Sequence, residues 1–360
     1  MKLFALYLPQ FHETEENNRW WGEGFTEWTH VRAAKPLYKG HRQPIVPEND
    51  NYYNLMDKET VLWQTKLMHD YGVDGMVYYH YYFQGKKLLE KPAENLLKWT
   101  DIDQPFFFCW ANHTWYRAQN GKKTTLIEQT YGTEADWQAH FDYLLPFFQD
   151  SRYEKKDNKP VFMLYADFPE KAAVMDYFDK RCKEAGFDGL YLIETVICAH
   201  TDDDYCAFRK KACAQTQKFY LREPVIGQAE LRRRRRFSPA RIRNKLMHVL
   251  SEKGWVSWAE EMDGNRMYKA MEDILRLDSD LCHGVFFSWD NTPRHGVRGL
   301  VISPPSKERF FSYTRRVKED EYIFINAWNE WAEGMILEPT THNGHQYLEW
   351  IRQFRECEKV

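Results

Sequence analysis

Two glutamates near the C-terminus have the residue type and spacing needed for joint chemistry on one substrate. Glu330 and Glu333 lie three residues apart in the segment Ala327-Trp-Asn-Glu-Trp-Ala-Glu-Gly334. In a helical turn, residues at this spacing share a face. Two carboxyl groups with different protonation states can cleave a glycosidic bond, because one donates a proton to the leaving oxygen while the other attacks or removes a proton. We therefore predict that Glu330 and Glu333 form a catalytic pair.

The residues around this pair favour a sugar as the ligand. Residues 322–327 are an apolar run rich in aromatic and β-branched side chains, which predicts a buried strand. Trp328, Asn329 and Trp331 follow at its end. Carboxylates are costly to bury and tryptophans are costly to expose, and both costs are explained if this strand end contacts a sugar.

A structural role is the alternative for the two glutamates. An arginine at the same rim, such as Arg294 or Arg298, could neutralise both carboxylates, which would then only shape the loop. An isolated Glu-x-x-Glu on a surface helix would favour that role. Here the two glutamates flank Trp331, follow a buried strand and precede Gly334, so we favour catalysis.

The rest of the chain alternates between predicted strands and predicted helices. Strands are predicted at residues 2–8, 73–79, 104–110, 160–165, 189–194, 215–223, 283–289 and 322–327. Helices are predicted at residues 57–71, 86–99, 137–148, 171–185, 238–250, 265–275, 307–317 and 345–354. This alternation implies parallel pairing and an α/β fold, the (β/α)₈ TIM barrel. We predict one domain over residues 1–360, with an insertion around residues 196–262.

Polar and aromatic residues follow the C-terminal ends of the predicted strands. In a TIM barrel these ends meet at one rim, where active sites lie. We therefore predict a shared substrate-binding cleft, built from His12, Trp20, Trp21, Glu27, Trp28, His80, Tyr81, Trp110, Asn112, Trp289, Asp290, Trp328, Asn329 and Trp331. Asp167 and Glu194 also end strands and would lie at the same rim. A single tryptophan among Trp20, Trp21 and Trp28 could instead plug the barrel end.

Composition argues against several other classes of protein. The net charge of −3 gives no overall attraction to nucleic acid, and no apolar run is long enough to span a membrane. The seven cysteines are odd in number and widely spaced, which predicts reduced thiols. The first residues indicate a strand and not a signal peptide. We expect a cytoplasmic protein with a carbohydrate ligand, and the oligomeric state is open.

The remaining motifs are short or isolated. Five consecutive arginines at residues 232–236 could bind nucleic acid or an anionic polymer, but a solvated helix face is the favoured interpretation. Asp-x-Asp pairs at residues 101–103, 202–204 and 278–280 fit metal-dependent transferases, and we interpret them as loop or cap acids. Three histidines follow different strands without a close pair, so hydrogen bonding to sugar hydroxyls is favoured over a metal site: His12, His80 and His113. We therefore predict neither a metal nor a cofactor.

Several long, aromatic-rich motifs extend over nearly the whole chain. They are Tyr7-Leu-Pro-Gln-Phe-His12, Trp20-Trp-Gly-Glu-Gly-Phe-Thr-Glu-Trp28, Tyr79-His-Tyr81, Cys109-Trp-Ala-Asn112, Ile127-Glu-Gln-Thr-Tyr131, Ser288-Trp-Asp-Asn-Thr-Pro293, and the segment 327–334 with Glu338-Pro339. Together they resemble the WbsX-like family, described as glycosyltransferases of polysaccharide synthesis or as glycoside hydrolase family 99-like proteins. The resemblance is weakest over residues 196–262.

The resemblance implies a TIM barrel related to the family 99 endo-α-mannosidases. By position, Glu330 matches the residue that deprotonates the sugar 2-hydroxyl to give an epoxide-like intermediate, and Glu333 matches the general acid/base. Ala332 departs from the mannosidases, which tend to carry His there, so mannose specificity does not follow. We expect a retaining glycoside hydrolase. The alternatives are a glycosyltransferase of lipopolysaccharide or capsular polysaccharide biosynthesis and a non-catalytic glycan-binding barrel.

Overall fold

Eight parallel strands form a closed barrel in the computed structural model, which describes residues 1–119, 122–197, 201–234 and 239–356. The barrel strands are β1 (Lys2–Tyr7), β2 (Gly75–Phe83), β3 (Phe106–Trp110), β4 (Lys159–Leu164), β5 (Tyr191–Val196), β6 (Thr216–Leu221), β7 (Leu281–Phe286) and β8 (Tyr322–Asn326). Each strand pairs with the next along the chain, and β8 pairs with β1 to close the ring. The predicted TIM barrel is confirmed.

Helices surround this barrel. They are α1 (Glu15–Trp21), α2 (Glu27–Ala33), α3 (Lys58–Asp70), α4 (Lys91–Lys98), α5 (Glu134–Gln149), α6 (Lys171–Glu184), α7 (Asp202–Lys210), α8 (Glu223–Arg234), α9 (Pro239–Glu252), α10 (Gly264–Asp273), α11 (Thr292–His295), α12 (Lys307–Thr314) and α13 (Gln346–Glu356). Among the helices in the described ranges, none combines the length and apolar content needed to cross a membrane.

The loops between the barrel strands and helices contain short strands and 3₁₀ turns. Lys86–Leu88 pairs with the end of β2, and Trp115–Gln119 pairs with Lys122–Ile127 in a hairpin. Lys155–Lys156 pairs with β4. Three segments after β6 and β7 form a small sheet: Glu260–Met262, Leu300–Ile302 and Trp289–Asp290. Asn329–Glu330 pairs with Met335–Ile336, and 3₁₀ turns cover Glu48–Asp50, Gly296–Arg298 and Trp331–Glu333.

Aromatic side chains fill the barrel interior. Phe4 and Phe107 meet edge to face at 5.0 Å between ring centroids, and Phe324 packs on Tyr220 at 4.6 Å. Gly75 on β2 makes room for this packing. A Cβ atom there would lie 2.4 Å from the Phe4 ring, which no side chain can occupy without displacing the ring.

Two predicted boundaries differ from the structure for a clear reason. β2 continues to Phe83, beyond the predicted end at Tyr79, because its last residues pair antiparallel with Lys86–Leu88. The backbone there is extended, so the helix predicted from residue 86 begins only at Lys91.

The stretch at residues 196–262 contains the sixth barrel strand as well as additional material. β6 lies inside the predicted range 215–223. The helix α9 and the strand Glu260–Met262 are what this stretch adds to the strand–helix repeat. In the arginine run, Arg233 and Arg234 bind Glu230, with nitrogen–oxygen distances of 2.7 Å, and Arg232 contacts Glu260 at 3.3 Å. Residues 235 and 236 lie outside the described ranges.

Candidate active site

A cleft of about 510 Å³ opens at the C-terminal rim of the barrel. Its walls come from the ends of several barrel strands and from the loops that follow them. The residues predicted for the site that line this cleft are Trp21, Glu27, Tyr81, Glu330 and Glu333. Lining residues outside that prediction include Gln10, Phe25, His30, Tyr79, His113, Tyr165, Arg222, Arg294, His295 and Asn326.

The loop after β8 holds Glu330 and Glu333 at the cleft. Glu330 ends the short strand that pairs with Met335–Ile336, and Glu333 ends the 3₁₀ turn. Gly334 closes the turn in the left-handed conformation, with φ of 61°. A Cβ on Gly334 would lie 2.8 Å from the Asp290 backbone nitrogen, so glycine allows the two loops to approach. Both carboxyl groups therefore lie in one cavity.

The buried carboxylate of Glu338 holds this loop in place on the side away from the cleft. Glu338 accepts hydrogen bonds from the indole nitrogens of Trp328 at 2.8 Å and Trp331 at 2.7 Å. It also accepts from Gln64 Nε2 at 2.6 Å and from the Tyr53 hydroxyl at 2.8 Å. Burial raises the pKa of Glu338 to about 7, although the four donors oppose the rise. The two tryptophans predicted as sugar contacts therefore lie beneath the loop and secure it.

Arg294 joins the carboxylates of the cleft. Its guanidinium donates to Glu333 Oε1, contacts Glu330 Oε2 at 3.3 Å and donates to Glu27 Oε2 at 3.0 Å. Arg298 instead pairs with Glu252 at 2.9 Å. The arginine contact that a purely structural role requires is thus present at Arg294. Because Arg294 itself lines the cleft, the carboxylates meet it in the cavity and not inside the barrel wall.

The environment of Glu330 disfavours its charge. Burial raises the pKa of the Glu330 carboxyl above its usual range, and the nearby charges of Glu333 and Glu27 raise it further. Arg294 and Arg222 lower it in part. The protonated form of Glu330 is therefore populated at a higher pH than in an exposed glutamate.

The raised pKa of Glu330 should be visible in how the free energy of unfolding depends on pH. A carboxyl whose pKa is higher in the folded than in the unfolded state contributes stability below the unfolded pKa and loses it as pH rises through the folded pKa. The Glu330→Gln variant cannot ionise at this position, so it does not lose this stability as the pH rises. We expect the unfolding free energy of Glu330→Gln, relative to wild type, to increase with pH above about 4.3, by at most about 1.4 kcal/mol per pH unit.

Thermal or urea unfolding between pH 5 and 9 measures this difference. The exposed Glu319, whose side chain is 87% accessible, provides the control Glu319→Gln, which should show no such trend. Glu338 is present in wild type and in both variants, so its contribution to the pH dependence cancels in the differences between them. A pH-independent difference between Glu330→Gln and wild type would contradict the assignment.

Strand alternation explains which residues of β2 reach the cleft. Successive side chains on a strand point to opposite faces. Tyr79 and Tyr81 line the cavity, whereas His80 lies on the other face, with its Nε2 at 2.8 Å from His140 Nε2. Burial lowers the pKa of His80 to about 3. The prediction paired His80 with Tyr81, two neighbours that cannot both face the same cavity.

Several other predicted contacts secure loops outside the cleft lining. Trp28 donates to the Tyr53 carbonyl at 2.8 Å, and Trp110 donates to the Tyr82 carbonyl at 3.2 Å. Asn112 bonds both backbone groups of Ala166, and Asn329 bonds both backbone groups of Leu8, at distances of 2.8 to 3.1 Å. His12 is buried, Trp20 packs against Trp115, and Trp289 is half-buried.

The strand-end acids also have structural partners. Asp290 is buried and accepts hydrogen bonds from Gln43 at 2.7 Å and from Thr292, and it lies 2.8 Å from His41 Nε2. It thereby secures the start of α11, which carries Arg294. Elsewhere at the rim, Lys171 pairs with Glu194 at 2.6 Å and with Asp167 at 3.0 Å.

The surroundings of the histidines in the cleft disfavour their charged form. Burial lowers the pKa values of His30, His113 and His295. Neutral imidazoles can donate and accept hydrogen bonds, which suits sugar hydroxyls. In the described part of the chain, no group of three or more His, Cys, Asp or Glu side chains is arranged to hold a metal ion.

The fold and the cleft define a (β/α)₈ barrel protein with a carboxylate-containing, aromatic-walled cavity at its C-terminal rim. The family model described as Glycosyltransferase WbsX matches residues 3–351. The chain belongs to this WbsX family.

Curated relatives and solved structures extend the comparison. The chain is 29% identical over 363 residues to the "Uncharacterized protein WxcX" of two Xanthomonas campestris pv. campestris strains, and the match covers 98% of this chain. The chain spans about half the length of these relatives, 49%.

Two solved structures of a GH99 endo-alpha-mannosidase from Bacteroides thetaiotaomicron resemble it with TM-scores of 0.54 and 0.56. Both are 12% identical, with coverage of 99% of this chain and 98% of the other. A "Glycoside hydrolase-like protein" gives a TM-score of 0.58 at 12% identity, with coverage of 98% and 93%. At these identities the likeness shows the fold alone.

Proposed function

We propose that the chain is a glycoside hydrolase that cleaves an oligosaccharide or polysaccharide, with Glu330 and Glu333 as its catalytic carboxyl pair. The observation that carries this proposal is the presence of both carboxyl groups in one open cleft, within reach of a single guanidinium. Aromatic side chains such as Tyr79 and Tyr81 wall the cleft, and such rings pack well against the C–H faces of sugars. The fold likeness to an endo-alpha-mannosidase supports hydrolysis.

In the proposed reaction Glu333 is the proton donor and Glu330 is the base. Glu330 removes the proton of the sugar 2-hydroxyl, whose oxygen then displaces the leaving group as Glu333 protonates it. Water then opens the resulting three-membered ring at C1 with net retention: Glu333 takes the proton of the attacking water, and Glu330 returns its proton to the 2-oxygen as the bond from that oxygen to C1 breaks. Once ionised, Glu330 is a strong base because its pKa is raised, and the same rise keeps part of the Glu330 population protonated near neutral pH. Arg294 holds the Glu333 carboxyl beside the base.

A substrate with an activated leaving group separates the two roles. Dinitrophenolate leaves without a proton, so Glu333→Gln should release it in the first turnover at nearly the wild-type rate. Glu330→Gln should remain slower by about 10²–10⁴-fold, because removal of the 2-hydroxyl proton is still needed. The measurement is a stopped-flow burst with a dinitrophenyl glycoside of the sugar that is cleaved. If Glu330→Gln released dinitrophenolate at nearly the wild-type rate and Glu333→Gln were slow, Glu330 would be the proton donor and Glu333 the base.

A glycosyltransferase of surface-polysaccharide synthesis is the second candidate. The description of the matching family model, Glycosyltransferase WbsX, favours it. A transferase of this kind binds a sugar nucleotide, whereas a hydrolase need not. Thermal-shift measurements with a set of sugar nucleotides and with free oligosaccharides distinguish the two. Stabilisation by one sugar nucleotide, with none by oligosaccharides, would refute the hydrolase proposal.

The direct test is hydrolysis of a panel of oligosaccharides and polysaccharides by wild type beside Glu333→Gln. Release of reducing ends by the wild type alone would support a hydrolase with this carboxyl pair. Glycan binding that survives in both glutamine variants, with turnover in neither these variants nor the wild type, would support the non-catalytic barrel instead.

We also propose that the protein works in the cytoplasm. Cys109, Cys182, Cys206, Cys213 and Cys282 are free thiols in the part of the chain that the structure covers. Reduced cysteines are typical of cytosolic proteins. Fractionation of cells that produce the full-length protein would test this location.

A further inference from the structure

Arg222 stands at the C-terminal end of β6 and lines the cleft. Its backbone nitrogen donates to the Val196 carbonyl at 3.0 Å, which fixes it against the end of β5. The centre of its guanidinium lies 4.5 Å from the centroid of the Tyr165 ring. Tyr79 and His113 line the same cavity. A half-buried cation thus forms part of the aromatic wall.

Arg222 differs from Arg294 and Lys171 because it has no carboxylate partner among the described side chains. Among the described side chains, which do not include that of Glu223, no carboxylate oxygen lies within 4.0 Å of its guanidinium nitrogens, the limit for an ion pair. By contrast, Arg294 contacts three carboxylates, and buried Lys171 pairs with Glu194. Arginine does not lose its proton in proteins, and a buried charge is costly unless it is paired. The ring of Tyr165 offsets only a part of that cost.

We propose that Arg222 forms a subsite for an anionic group on the glycan, either the carboxylate of a uronic acid or a phosphate ester. A guanidinium binds both groups through paired N–H donors. The flanking rings of Tyr79 and Tyr165 would hold the sugar that bears the anion. Arg222 and the catalytic pair line the same cleft. The inference rests on the proposed function for its place in a substrate cleft.

Matched glycans test the subsite. The probes are an oligosaccharide containing glucuronic acid and the same material after carboxyl reduction, together with a phosphorylated oligosaccharide before and after phosphatase treatment. Titration calorimetry with wild type should show binding of at least one acidic member and about ten- to hundredfold weaker binding of its neutral counterpart. The acidic member that binds identifies the source of the anion.

Variants assign the effect to Arg222. Arg222→Met should lower the affinity for the acidic glycan by about ten- to hundredfold and leave the affinity for the neutral one unchanged. Arg222→Lys, which keeps the charge, should retain part of the preference. Arg298→Met removes an arginine whose side chain is 59% exposed outside the cleft lining, and it should match wild type. Melting curves show whether each variant is folded. If Arg222→Met is not folded, the test uses Arg222→Lys, for which a smaller loss of the preference for the acidic glycan is expected.

Equal binding of acidic and neutral glycans by wild type, or an unchanged preference in Arg222→Met, would overturn the subsite. The proposed function can fail separately. If an acidic glycan binds through Arg222 but no glycan is hydrolysed, the subsite stands and the hydrolase proposal falls. If glycans are hydrolysed and Arg222→Met keeps the wild-type kcat/KM for the acidic glycan as well as for the neutral one, the hydrolase proposal stands and the subsite falls.

Discussion

Glu333→Gln and Glu330→Gln are each expected to lower kcat for glycan hydrolysis by about 10²–10⁴-fold, the usual contribution of a positioned acid or base. Glutamine keeps the shape of the side chain and can still accept a hydrogen bond from Arg294. What it removes is the transferable proton at Glu333 and the basic oxygen at Glu330. KM should change little, because the lost interaction is made in the transition state.

The matched control is Asp167→Asn, which neutralises another carboxylate at the same rim. Asp167 is 61% exposed in its side chain, pairs with Lys171 and does not line the cleft. Its variant should stay within about twofold of wild type, as expected for an exposed ion pair of small energetic value. Wild-type kcat in both glutamine variants would mean that the two glutamates only shape the loop around Arg294.

The barrel could be predicted because each strand and helix has a strong local pattern. β8 is an uninterrupted apolar run, and helices such as α6 end close to the predicted residue. Even β6, in the most ambiguous stretch, fell within its predicted range. A closed ring is the prediction that the count favours, because eight strands, most followed by a helix, match the repeat of the (β/α)₈ barrel.

The candidate site was only partly predictable, and the reason is geometric. Position at a strand end brings a residue to the rim, but alternation decides whether it faces the cleft, as for Tyr79 and His80. Contacts with residues distant in sequence determine which of the remaining side chains face the cleft. Nothing in the local pattern indicates that Trp328 and Trp331 bind Glu338, or that the single residue after β6, Arg222, reaches the cavity. Arg294 was considered only as a structural partner of the glutamates, although it lines the cleft with them.

The buried Glu338 connects the site to the stability of the fold. Gln64 and Tyr53 come from the first third of the chain, whereas Trp328 and Trp331 belong to the catalytic loop. All four supply hydrogen-bond donors, and only a carboxylate offers acceptors on both oxygens. Glu338 therefore joins the loop that presents Glu330 and Glu333 to the first third of the chain, in addition to the bonds of Asn329 with Leu8.

Glu338→Gln should accordingly destabilise the protein despite its almost unchanged shape. The new amide nitrogen replaces one acceptor with a donor, so two of the four buried donors lose their partner. Each unsatisfied buried donor costs about 1–3 kcal/mol. Removal of the buried charge offsets part of that cost, because the raised pKa of Glu338 means that ionisation costs stability at pH 8, so we expect a net loss of about 1–3 kcal/mol. Urea unfolding at pH 8 measures the loss, and a fall in Tm should accompany it. Glu349→Gln, which breaks a surface pair with Arg352, is the control and should cost less than about 1 kcal/mol. Equal stability of the two variants would show that the donors of Trp328 and Trp331 find other partners, and that the loop does not depend on Glu338.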